Sequence, residues 1–183
     1  MLRRSIRLAA CLFLTGMLCP AEGPGVWLDV PFVAQRGNAC GAASLAMVLQ
    51  YWEGQQGKLL GSQVEQIERR LYSPEARGIY ASDMERYLQG QGFRTFAFPG
   101  NWMDLKQHLE KGRPLIVALK PNRRELHYVV VAGLDWTENV VLKNDPAERK
   151  LLKQDRSNFE KQWKAAGNWT LLAVPQPSDS SSQ

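Results

Sequence analysis

Cysteine and histidine are the scarce residues of this 183-residue chain, with three of the first and two of the second. Cys11 and Cys19 lie in the first 21 residues, so a chain that loses that segment keeps Cys40 alone. One thiol closes no intramolecular disulfide. With two histidines far apart in sequence it builds no cysteine-based metal cluster, although mixed ligand sets stay open. Charge of one sign is lacking too. The formal charge is +5, but Arg3, Arg4 and Arg7 account for three of the basic residues, and the rest of the chain holds 20 basic against 18 acidic residues. They are interspersed, with no long basic stripe, which argues against a nucleic-acid partner. Internal repeats and an interdomain linker are absent as well. With 44% hydrophobic residues, the chain suits one domain with a real core.

The longest apolar run, Leu8 to Leu18, is too short for an ordinary membrane span. It follows positive charge and precedes Pro20 and Ala21, the outline of a secretory signal peptide. The expectation is a signal over 1–21 cleaved after Ala21, a domain over 22–175 and a flexible tail over 176–183. The product is periplasmic or secreted. Membrane tethering through an uncleaved or lipidated N-terminus is the alternative, with Cys11 in "LAAC" or Cys19 after Leu18 as lipid acceptors. An exported chain with one unpaired thiol needs a reason for it, since that compartment oxidises thiols.

Hydrophobic patterning predicts helices in the first half and adjacent strands in the second. Residues 26–35, broken by Pro31, read as an extended strand, and 40–52 as a helix apolar on nearly every face, hence covered on all sides. Further helices are expected over 62–71 with a capping box from Ser62 and Glu65, after Ser82 as a cap, and after Asn101 as a cap with Gly112 as the stop. "RTFAF", 114–119, 126–135, 139–146 and 168–174 read as strands, with a short helix in "DRSNFEKQWKAAG". This order argues for an α+β domain with a mostly antiparallel sheet.

Cys40 falls in the first turn of the buried helix, where unpaired backbone N–H groups and the helix dipole favour a thiolate. Gly41 beside it leaves room for a substrate carbonyl. A buried inert cysteine is the bland alternative. The base must be His108 or His127. His108 sits in the charged "DLKQHLEKG" and reads as a solvated helix residue, whereas His127 opens the apolar "HYVVVAG". If 127–134 and 139–144 form a hairpin, its open end brings Asp145 of "LKNDPA" beside His127, where a carboxylate fixes the imidazole tautomer. Alternation allows only one of Asn144 and Asp145 to face the ring. Gln35, five residues before Cys40, carries an amide that can complete an oxyanion hole with the Cys40 N–H, and Asn38 is its local competitor.

"DVPFVAQRGNACGAASLAMVLQYW", "HYVVVAG" and "NDP", in that order, resemble the C39-like, bacteriocin-processing type of papain-like cysteine peptidases, over about Asp29 to Trp163. The resemblance implies a papain-like fold in which N-terminal helices and a central nucleophile helix pack on a mostly antiparallel sheet. It also implies Cys40 as nucleophile, His127 as base, Asp145 as orienter and Gln35 with Cys40 as the oxyanion hole, with no cofactor and no metal. The best-known relatives trim leader peptides after a double glycine as part of an export ATPase. This chain has no nucleotide motif and an export signal instead, so the expected substrate is a peptide or protein outside the cytoplasm. The alternatives are a catalytically silent peptide-binding or assembly accessory and a papain-like amidase or acyltransferase.

Overall fold

The computed structural model describes residues 23–55, 64–122 and 125–177. The expected signal segment with Cys11 and Cys19, the Ser62 cap, Arg123 and Arg124, and positions 178–183 of the expected tail lie outside the described residues. In chain order the elements are β1 (Gly25–Trp27), α1 (Cys40–Gln55), α2 (Val64–Leu71), α3 (Ala81–Gly90), β2 (Phe93–Pro99), α4 (Trp102–Glu110), β3 (Leu115–Leu119), β4 (His127–Asp135), β5 (Val140–Asn144), β6 (Leu152–Asp155), α5 (Arg156–Ala165) and β7 (Trp169–Pro175).

The strands form one sheet in the order β2-β7-β3-β4-β5-β6, with every pairing antiparallel. β4 is its spine. One edge of β4 pairs with β3 over His127–Val131 and then with β1 over Gly133–Asp135, and the other edge takes β5. Gly133 sits where β1 crosses closest. A Cβ there would stand 2.6 Å from the Val26 carbonyl, so only glycine lets the strands approach.

Alternation along β4 divides the core in two. Tyr128, Val130 and Ala132 join the cluster around α1, with Leu45, Met47 and Val48. Val129 and Val131 join the other, with Leu105 and Leu109 of α4 and Phe159 and Trp163 of α5. The helix–sheet–helix sandwich explains why α1 has no polar face: Ala42 to Leu49 are all buried.

Local signals are obeyed where the backbone needs them. Asn101 accepts the N–H groups of Met103 and Asp104, and the Asp104 carboxylate takes the Asn101 N–H, a reciprocal cap, while Gly112 at φ 68° ends the turn after α4. Three expectations need correction. Ser82 is not a cap: α3 begins at Ala81, its N-cap is Tyr80 with no side-chain acceptor, and Ser82 lies inside the first turn. The strand over 26–35 pairs only at Gly25–Trp27. Pro31 has no N–H to give a ladder, and the Asn144 amide takes up the Val30 and Pro31 carbonyls instead. β6 was not expected. Its "LKQD" turns Leu152 and Gln154 inward and Lys153 and Asp155 outward, an alternation too short to register in a charged stretch.

Candidate active site

Cys40 is the first residue of α1, half-buried, with Ala39 before it receiving the first helical bond from the Ala43 N–H. The thiol therefore lies at the end of the helix where backbone donors lack intrahelical partners. Gly41 has a packing reason rather than the substrate-facing one expected: a Cβ there would press on Ile79 at 3.3 Å and Tyr128 at 3.5 Å.

The hairpin of β4 and β5 forms as the sequence implies. Val130 stands opposite Asn144, so Asn144 shares the α1 face with Val130, and Lys143 and Asp145 share the face of His127 and Val129. The His127 Nε2 lies 2.6 Å from the Asp145 Oδ1. His127 also hydrogen-bonds the Cys40 side chain. Asn144 is turned away, donating to the Val30 and Pro31 carbonyls and accepting the Leu151 N–H. Only one of the neighbouring pair faces the ring, and it is the carboxylate.

Asp145 is held from several sides. Its Oδ1 also accepts the Ala147 N–H at 3.1 Å, and its Oδ2 accepts the Lys143 ammonium at 2.8 Å. Burial opposes its ionisation, but the hydrogen bonds and charges of His127 and Lys143 outweigh that and hold the carboxyl well below the usual carboxylate range. Burial likewise opposes the His127 imidazolium. Its hydrogen bonds to Asp145 and Cys40, and the charges of both, prevail and raise it from 6.5 to about 9. Tyr128, next along β4, is pushed up to about 12 by burial and by the nearby Cys40. His108 goes the other way. It is partly buried against Phe98 at 6.2 Å rather than solvated, and burial together with Arg113 and Lys111 lowers it.

Gln35 and Asn38 line the same cleft as Cys40 and His127. The Gln35 backbone N–H donates to the Pro146 carbonyl at 2.9 Å, tying the segment before Cys40 to the one after Asp145. Its side-chain Nε2 donates to the Gly37 carbonyl at 2.6 Å, which fixes the amide, while Oε1 is buried without a partner. The cleft has a volume of about 1380 Å³, and exposed Tyr80 and Leu126 are among the residues that line it. Among the described residues, no group of three or more His, Cys, Asp and Glu side chains is arranged to hold a metal ion. Lys143 was overlooked in the sequence. Two residues before Asp145 in a strand, it had to share that residue's face, and a lysine inside "VVLKN" was the available signal.

A thiol at the N-terminus of a buried helix, facing an imidazole at the mouth of an antiparallel sheet, is the build of the papain-like cysteine peptidase domains. The chain belongs to the Peptidase_C39 like family, whose model matches residues 27–171. Solved structures agree in fold. A double glycine motif protease from an AMS/PCAT transporter, solved with its leader peptide, superposes with a TM-score of 0.65 at 24% identity, covering 82% of this chain and 95% of that one. The peptidase domain of Streptococcus ComA, a bifunctional ABC transporter of a quorum-sensing pathway, gives 0.62 at 23%, covering 79% and 97%. A C39-like peptidase from Bacillus anthracis gives 0.62 at 19%, covering 84% and 99%. No curated protein matches the chain at a significant level.

Proposed function

We propose that the protein is a cysteine peptidase that cleaves a peptide or protein substrate outside the cytoplasm. The observation that carries this reading is the continuous chain from Cys40 through His127 to Asp145 on the wall of an open cleft. His127 holds the Cys40 proton as an imidazolium, and the thiolate attacks the scissile carbonyl. The Cys40 N–H and the Gln35 Nε2 hydrogen that the Gly37 carbonyl leaves over receive the developing oxyanion. His127 passes its proton to the leaving amine, a thioester forms on Cys40, and water activated by the neutral imidazole resolves it. Asp145 fixes the tautomer of the ring. A peptide substrate suits a large cleft lined by the thiol, as does family membership alongside a protease solved with a leader peptide. Export rests on the charge-then-apolar order of residues 1–21, with 22–175 as the working domain.

The test is incubation of the purified protein with a peptide library, read by mass spectrometry, beside Cys40→Ala. Cleavage that is lost in Cys40→Ala, with an acyl adduct trapped on Cys40, is the expected result. Peptides that bind both proteins equally and are never cut would replace the peptidase with a binding domain. Release of side-chain ammonia without chain cleavage would make it an amidase.

A further inference from the structure

Among the described residues, the buried charged side chains are Asp145 and Lys143, and the scheme above uses only the first. Lys143 belongs to β5, an interior strand, opposite Val131 on one side and Leu152 on the other. An ammonium in that place is costly to strip of water, and an apolar residue would pack there more cheaply. Nor is it needed to orient the carboxylate towards His127, because the Ala147 N–H and the imidazole already share Oδ1. What Lys143 alone supplies is a positive charge on Oδ2 at 2.8 Å.

The charge tally of the site suggests its use. Thiolate, imidazolium and carboxylate together carry one excess negative charge in a partly buried place, and Lys143 cancels it. We propose that Lys143 is a positioning residue that works through Asp145: it offsets the charge of the carboxylate, so that His127 releases its proton to the leaving amine instead of retaining it. This rests on the peptidase reading for its purpose, but not for its measurement. The other ionisable group acting on His127 is Cys40 from α1, and Tyr128, next along β4, lies on the opposite face near that same thiol. Lys120 and Glu125 on the β3–β4 connection, and Glu148 after β5, line the cleft beyond them. None changes when Lys143 is replaced, so a difference reports on Lys143.

The experiment follows the His127 ring proton by NMR across pH in the full chain, in the native protein and in Lys143→Met, Lys143→Gln and Lys143→Arg. Removing a neighbouring cation favours the imidazolium. The two neutral variants are therefore expected to titrate higher by about one unit, and Lys143→Arg to stay with the native protein. Lys143→Gln keeps a donor for Oδ2, which separates the charge from the hydrogen bond. Superimposable titrations in folded neutral variants, or a downward shift, would overturn the proposal. So would collapse of both neutral variants, which makes the lysine a structural residue. The readout needs no substrate, so a protein that cuts nothing can still show the shift, and an active peptidase can fail to show it.

Discussion

Two lysine–carboxylate pairs flank the β4–β5 hairpin, Lys143 with Asp145 at its open end and Lys153 of β6 with Glu138 at its turn, and the two behave differently. At the open end Lys143 and Asp145 have side chains 7% and 4% exposed, and at the turn end Lys153 and Glu138 are 56% and 53% exposed. Both join a lysine ammonium to a carboxylate, one along β5 and its exit and the other between β6 and the β4–β5 turn. Their access to water differs most. At the turn water screens the pair and competes for every donor, so the contact changes little. At the open end the charges answer mainly to one another, and the histidine that shares the Asp145 carboxylate with Lys143 is moved far from its ordinary value.

The largest break of this contrast is Asp145→Ala. It strands Lys143 as an uncompensated buried charge and is expected to cost about 3–5 kcal/mol, read as the urea midpoint, while Glu138→Ala leaves that midpoint in place. Asp145→Asn removes the charge but keeps the shape. Peptide cleavage should fall by about 10⁴-fold, measured as kcat/KM. A smaller effect comes from pH. His127 is raised on folding, so its stabilising contribution is complete below its ordinary pKa of 6.5 and is lost as pH rises through about 9. The urea midpoint should decline across that window, and less steeply in His127→Ala. The turn-end lysine, raised above 10.5, stays charged throughout it. The smallest effect is Lys153→Ala, expected to leave midpoint and cleavage unchanged within measurement.

The contrast also shows what a sequence can disclose. Cys40, His127 and Asp145 were legible because each sits at a boundary with a local signature: a helix start after a turn, the first residue of an apolar run, and the residue before a strand-ending proline. Period-two alternation allowed only one of Asn144 and Asp145 to face the ring, and the observed register, with Asn144 opposite Val130, made it Asp145. The α1 helix declared its burial through the want of any polar face. Lys143 was missed because a lysine in a strand reads as a solvent-facing residue until its neighbours on both sides are known, and one of those neighbours, β6, has too little alternation to be seen. Ser82 misled because the α3 start is set by the turn before it, where Ser73 and Gly78 exchange backbone hydrogen bonds, rather than by the best capping side chain. His108 misled because charged neighbours in sequence hid a ring tucked against Phe98.

The tie between Gln35 and Pro146, and the Asn144 amide reaching back 114 residues to Val30, set the order in which the site comes into being. A chain made from its N-terminus presents its thiol long before Asp145 exists. Until the later half arrives and docks, Cys40 has no partner to draw off its proton and no braced loop to support a carbonyl. Such distant contacts form late. The Cys40 thiol is thus without its His127 and Asp145 neighbours for most of synthesis. The arrangement arrives only once both halves are made, so a chain truncated before Asp145 holds the thiol without it.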